Sequence, residues 1–411
     1  MRLSTSLIQQ LGVEAIQKQQ NRLSKLQLHL ATGNKQLTPA DDPIAAVRTL
    51  DLQEEIRKQT QYQDNINTIS NRLELEEVTL SGMTDILQRM RELSVRANNE
   101  ASLRAEDKQY IAQELRQGLD QLLGLANSKN ANGEYLFSGT LTHTQPYPDQ
   151  PTPTEGYYPY QGNDSQRLIQ IGPSRRLADG NSGTQVFERI ETALIEPDEI
   201  IEGQATPPIV EVQKLPVRTL QPGSYYELQF GSVTLTAGPL DKDPTLAELV
   251  TSLQGDPDYA AAPFTIAEGL GSDAGKLVVT WNTPGEVNGQ VTLHKQDNTF
   301  SFIDQLVRAL EDPAATESSK TIISDAIYAF DNILERVNSV RASVGARLNT
   351  VDQQQQTNEQ YLMDLKGTLS EIKDLDYAEA IGRFNLQQVA LQAAQQAFIK
   401  VQNLSLFNYI R

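Results

Sequence analysis

From Ile327 onward the apolar residues advance in alternating steps of three and four: Phe330, Leu334, Val337, Val344, Leu348, Val351, then Leu362, Leu365, Leu369 and Ile372. Arg341, Gln355 and Asn358 are the polar positions of this series. Spacing that averages 3.5 residues keeps one face of a helix turned to a partner, so the series reads as an a/d seam. The first half of the chain carries a counterpart at Tyr62, Ile66, Ile69, Leu73, Leu80, Met83, Leu87 and Met90, with Glu76 sitting in the seam. Neither seam can bury itself. The pattern therefore predicts that residues 44–127 and 321–373 form one antiparallel helical bundle.

Local signals mark the ends of the helices. A first helix is expected from about Leu7 to Thr32, closed by Gly33-Asn34 as a C-cap. After the loop 36–41, Asp42 is placed to N-cap and Pro43 to occupy the first helical position, where its missing N–H costs nothing. If the helix that starts there is unbroken to Ala97, it is roughly 80 Å long at 1.5 Å per residue; Gly82 is its one weak point. A third helix, about Ala105 to Asn127, shows Ile111, Leu115, Leu119, Leu122 and Leu125 on one face and should return antiparallel along the second.

Residues 141–300 are different in kind. They hold 16 of the 19 prolines, 15 of the 25 glycines and the sole tryptophan, Trp281, which excludes long helices. Strand-like runs are Arg167 to Ile171, Tyr225 to Phe230, Val233 to Thr236, Lys276 to Trp281 and Gln290 to His294, with Gly231-Ser232 as a tight hairpin turn. One short helix is expected between them, with Asp243 as cap and Pro244 at its first position. Helical pattern resumes at Phe302 and, after the Asp312-Pro313 break, persists. The fold class is thus mainly α with an α+β insertion. The expected segments are 1–43 (terminal helix and loop), 44–140 (bundle), 141–300 (β-rich insertion), 301–375 (bundle) and 376–411 (terminal helix).

Composition narrows the function. Hydrophobic residues make up 38% and aromatics only 6%, which suits elongated helices better than one thick core. A net charge of -18 repels phosphate backbones and anionic membranes, so no nucleic acid and no membrane partner is expected. Cysteine is absent, which removes disulfides and thiolate chemistry. The segment Met1 to Ser6 leads into a Gln-rich amphipathic stretch without an apolar signal region, so export by a Sec signal is not expected.

Candidate chemistry is weak. His29, His143 and His294 lie in separate segments without ligand spacing, and no metal is expected. The run Gly269 to Lys276 misplaces the first glycine of a phosphate loop and has Leu277 where a hydroxyl should stand; a β-turn is the better reading. The run Asp179 to Gly183 begins like a calcium loop but has Thr184 at the turn position. No cofactor and no enzymatic role are expected. Were Tyr157, Tyr158, Tyr160 and Trp281 to gather round a sugar-sized cleft, an extracellular binding or hydrolase module anchored by a helical rod would be the alternative.

What remains is the amphipathic ends. On the last helix Tyr377, Phe384, Leu391 and Phe398 recur every seven residues, followed by Val401 and Leu404. On the first, Ile16, Leu23, Leu26 and Leu30 form the stripe. Burying a large side chain stabilises by roughly 1.5 to 3 kcal/mol, whereas fixing each residue of such a helix costs about 1 to 2 kcal/mol of backbone entropy. These ten residues are therefore the expected assembly interface, completed by neighbouring chains.

Four stretches carry a family resemblance: Met1-Arg2-Leu3-Ser4-Thr5, the turn from Asn132 to Gly139, the segment Val344-Gly345-Ala346-Arg347-Leu348-Asn349, and the tail from Asp376-Tyr377-Ala378 to Tyr409. In them the chain resembles the bacterial flagellin superfamily, and within it the hook–filament junction family. Asp41-Asp42-Pro43 resembles the junction family's start of the long helix, where flagellins tend to have Asp-Asp-Ala; the filament flagellin itself is the alternative. The resemblance implies a structural subunit, exported unfolded through the flagellar type III channel to the extracellular flagellum. It implies as partners a hook-associated adaptor on the hook side, flagellin on the filament side, copies of itself in a helical ring, and an export chaperone on the C-terminal region.

Overall fold

A computed structural model of the chain describes residues 5–99, 104–151, 157–204, 208–217, 220–241, 244–285, 289–312, 314 and 316–407. Contacts divide it into two compact units, Met1–Asn65 with Gln353–Arg411, and Ile66–Asp352. The first contains α1 (Thr5–Thr32), α8 (Tyr377–Phe407), the start of α2 (Pro43–Ala97) and the end of α7 (Glu317–Lys373). The second contains the rest of α2 and α7 with α3 (Ala105–Ala126), α6 (Thr299–Glu311) and every strand. Both divisions fall inside continuous helices.

The helix boundaries follow local chemistry. Asp42 Oδ1 accepts from Ala45 N at 3.0 Å, capping α2 with Pro43 as its first residue. Gly33, at φ +70°, ends α1 as its N–H reaches back to His29 O. Asn298 caps α6 by accepting from the Phe300 and Ser301 amides.

In the second unit α2, α3, α6 and α7 share one core that includes Ile66, Ile69, Leu73, Leu80, Met83, Leu119, Leu306, Phe330 and Val337. α3 returns antiparallel to α2: Glu114 pairs with Arg89, and further back along α2 a Cβ at Gly82 would stand 3.6 Å from Leu125 Cδ1. α7 also opposes α2, since Asp331 pairs with Arg91 and Arg341 with Glu77. Burial on α7 runs Phe330, Ile333, Val337, Val340, Val344, Val351, while Leu334 and Leu348 are half-buried. The seam thus passes through Val340, and the polar Arg341 beside it is no interruption: its guanidinium turns to the Glu77 carboxylate at 2.7 Å.

The insertion opens with a hairpin, β1 (Leu168–Gln170) and β2 (Arg176–Ala178). One helical turn, α4 (Gly183–Phe187), follows it. Two four-stranded antiparallel sheets come next. The first is ordered β3 (Ile190–Ile195), β10 (Thr292–Asp297), β6 (Tyr225–Phe230), β7 (Val233–Ala237); the second β4 (Glu199–Ile201), β5 (Val210–Pro216), β9 (Lys276–Pro284), β8 (Phe264–Glu268). Both contribute to one core with α5 (Leu246–Gln254), around Tyr226, Leu228, Leu249, Phe264 and Trp281. Gly231, at φ +58°, makes the two-residue turn between β6 and β7, whose facing ends Phe230 and Val233 pair. The expected cap of α5, Asp243, lies outside the described residues; Thr245 caps it, accepting from Glu248 N at 3.2 Å, so Pro244 precedes the cap. Strand β5 alternates against expectation, with Glu211 and Gln213 buried and Val210 and Val212 half-exposed. Gln213 is satisfied there by Glu211 Oε1, Gly289 O and Val291 N.

Candidate assembly interface

In the first unit α1 and α8 form an antiparallel pair. Gln19 donates to Gln387, the Phe398 ring covers Gly12, and at the other end Leu375 N donates to Gly33 O while Lys35 N donates to Lys373 O, each at 2.8 Å. Gly12 is there for close approach: a Cβ would stand 2.6 Å from the Phe398 ring. Of the residues expected at the interface, Ile16, Leu23, Leu26 and Leu30 on α1 and Phe384, Leu391 and Phe398 on α8 are half-buried. Tyr377 is 52% exposed, its hydroxyl beside Gly33. The side chains of Val401 and Leu404 lie outside the described residues.

Two helices cover only one stripe of each other, and these are apolar on more than one side. Leu11, Val13 and Leu28 on α1 and Ile381, Leu386, Val389 and Ile399 on α8 remain exposed, with Leu386 at 69%. Beside them an apolar groove of about 410 Å³ is lined by Leu37, Pro39, Pro43, Val47 and Leu50. Sequence periodicity found the heptad stripe and missed this second surface, because a residue outside the dominant period carries no signal of its own. Solvent-facing Leu, Ile and Val in such number make this the candidate for an interface with neighbouring chains.

Two of the stretches that carry the family resemblance, the turn from Asn132 to Gly139 and the segment Val344 to Asn349, lie in the second unit and take part in one buried polar network. Arg72 on α2 donates to Glu134 and to the Tyr135 and Leu136 carbonyls, all at 3.2 Å, so the turn from Asn132 to Gly139 is tied to the long helix. Arg167 Nε donates to Asp179 at 2.7 Å. Glu76, 1% exposed in the seam, accepts from Asn181 Nδ2 at 2.7 Å, and Arg347 on α7 donates to Asn181 Oδ1 at 2.6 Å. Burial pushes the Glu76 carboxyl up to about 7, against the pull of Asn181, Arg347 and Arg72. Glu188 is likewise raised to about 7 by burial, although Asn298 and Tyr147 donate to it. The calcium-like run is therefore a structural strap, held by Arg72, Arg167, Glu76 and Arg347.

The aromatic residues do not share a cleft. Trp281 stacks edge-on with Phe230 and near Phe264 in the β core, whereas Tyr158 and Tyr160 belong to the helical core near Phe300 and Tyr147. His294 is half-buried: its Nδ1 meets Glu191 at 2.7 Å, and Tyr328 of α7 donates to the same carboxylate. The run Gly269 to Lys276 is a short 3-10 turn entering β9, closed by Gly269 N donating to Lys276 O.

Two family models match the chain: the bacterial flagellin N-terminal helical region over residues 3–142 and the bacterial flagellin C-terminal helical region over residues 327–410. Flagellar hook-associated protein 3 of Escherichia coli K12 is 25% identical over 413 residues, 99% of this chain and 99% of its own length. The protein of the same name from Salmonella typhimurium LT2 is 25% identical over 416 residues and covers 100% of both. Among solved structures, flagellar hook-associated protein 3 of Legionella pneumophila superposes with a TM-score of 0.50 at 27% identity, over 78% of this chain and 98% of that one.

Proposed function

The chain belongs to the bacterial flagellin family, and from that premise we propose that it is the structural subunit joining the hook-side adaptor of the flagellum to the first flagellin of the filament. The observation that carries this reading is the match, end to end, to proteins named flagellar hook-associated protein 3. The α1/α8 pair supports it physically. Its half-buried stripe holds the two ends of one chain together, and its exposed Leu11, Leu386, Val389 and Ile399 are left for neighbours. A head-to-tail contact between such pairs propagates along a helix instead of closing a two-fold dimer. The partners are then a hook-associated adaptor, flagellin and copies of itself. Before assembly the same apolar surface needs cover, which an export chaperone gives by a helix-in-groove contact, and the route out is the flagellar type III apparatus. No catalytic role enters this reading.

Immunogold labelling of intact flagella tests it. A single band between hook and filament is the expected result, and cells lacking the chain should keep hooks while shedding flagellin into the medium. Label along the whole filament would identify a filament flagellin instead.

A further inference from the structure

A groove of about 780 Å³ lies between the β1–β2 hairpin and α7. Its apolar lining includes Leu177, Ile190 and Val340, and its charged residues are Arg176, Arg336 and Arg347 with Glu191 and Glu335. Arg347 is engaged with Asn181 and the Gly180 carbonyl. Arg176 and Arg336 are exposed, and among the described residues neither forms an ion pair, although Glu335 stands next to Arg336 in the same lining. With Glu191 taken up by His294 and Tyr328, the groove keeps the Arg176 and Arg336 guanidiniums against the one Glu335 carboxylate, a net positive lining that suits an acidic segment offering aliphatic side chains as well.

The chain itself holds such a segment. Residues 141–300 contain 21 acidic and nine basic side chains, and the acids crowd at Glu196, Asp198, Glu199 and Glu202 around β4. Among the described residues β4 is an edge strand beside β5, and it exposes Ile200 at 37% and Ile201 at 42%. An open strand edge with uncovered isoleucines is a surface that natural proteins protect unless it is used. Asp198 and Glu199 already meet Lys276 and Lys214, and among the described residues Glu196 and Glu202 form no ion pair. Identical subunits each carrying -18 repel one another, so an assembly of them needs a place where opposite charges meet.

We propose that the groove between the β1–β2 hairpin and α7 receives the acidic β4 edge, residues 196–202, of a neighbouring copy of this chain. This rests on the reading that the chain assembles with its own copies, and it names the surfaces through which they touch. Glu196 and Glu202 face Arg176 and Arg336 across the contact, and an isoleucine of β4 meets Leu177 and Val340. The contact is heterologous, groove to edge, as propagation along a helix requires.

Because the chain has no cysteine, the test needs no background removal. Full-length Ser343→Cys and Ile200→Cys variants are co-expressed in cells lacking the native chain, and purified flagella are treated with a short bis-maleimide. A covalent dimer linking position 343 of one copy to position 200 of another is expected, with none when Leu270→Cys replaces Ile200→Cys. Adding Arg176→Glu and Arg336→Glu should lower the yield by about tenfold, and Glu196→Arg with Glu202→Arg should restore it, since oppositely charged pairs set register. Flagella that contain both variants yet give no 343–200 dimer overturn the inference and leave the junction reading standing. Failure of the unaltered chain to enter flagella overturns both.

Discussion

Glu76 shows what one buried side chain does to the chain's response to pH. Its carboxyl sits near 7 in the folded protein, above the ordinary value of 4.5, because burial disfavours the charge. Between those values the folded chain keeps a proton that the unfolded chain has released. Stability from this group is therefore highest below about pH 4.5 and falls as pH rises toward 7, by on the order of 3 kcal/mol at most. Glu188, also raised to about 7 by burial, acts in the same direction. Glu76→Gln retains an oxygen for Asn181 and removes the titration. Urea melts at pH 5 and pH 8 should show the variant losing less stability than the parent across that interval; equal losses would contradict the assignment. Glu76 was visible in the sequence as a polar intruder in an apolar seam. Its partners Asn181 and Arg347 were not, because they are 105 and 166 residues away from their contacts in the chain.

At the scale of elements, the long helices were the most legible feature and the strands the least. The Asp42-Pro43 start and the Gly33 stop of the helices are local chemistry and appear where the sequence puts them. Tyr225–Phe230 and the turn at Gly231 are local too. Strands β2, β3, β4, β5 and β8 carried no comparable signal, and β5 shows why: two of its inward residues, beside Leu215, are Glu211 and Gln213, and Gln213 is satisfied by the distant Gly289 and Val291 backbone as well as by Glu211. In the seam, Leu80 is fully buried, and Leu80→Ala should cost roughly 2 to 5 kcal/mol by denaturant melting. Leu348→Ala, at a half-buried position, should fall below that range. For the end helices, Phe398→Asp should remove the ring that covers Gly12. We expect weaker binding of the export chaperone in pull-downs and reduced entry into flagella, while circular dichroism of the β-rich insertion is retained. Normal assembly of Phe398→Asp would take the α1/α8 stripe out of the interface.

Across the whole molecule, burial is distributed unevenly between the two compact units. Residues 66–352 contain both large cores, whereas α1, α8 and the adjoining ends of α2 and α7 are mostly half-buried or exposed. Local opening follows the density of buried apolar contacts. Trypsin should therefore cut the free monomer first at sites such as Arg57, Lys58 and Lys366, all exposed, and leave a resistant core close to Ile66–Asp352. Mass spectrometry of the limit digest reads this directly. Early cuts within 66–352 with the ends intact would reverse the order. Hydrogen exchange on the same monomer should show weak protection across Leu386 to Leu404 that rises when the chain is assembled.

By itself the sequence determined the helices, their antiparallel pairing need, the β-rich character of residues 141–300 and the family, because capping, heptad spacing and proline and glycine content act within a few residues of each other. Only the tertiary structure decided that the compact units divide inside α2 and α7, that the seam runs through Val340, and that the turn from Asn132 to Gly139 is bound by Arg72 on the long helix. The same holds for the exposed apolar face of α8, since which side of a helix stays uncovered depends on what the rest of the chain leaves unoccupied. Those outcomes are set by contacts between residues far apart in the chain, where periodicity has no reach and geometry alone selects the partner.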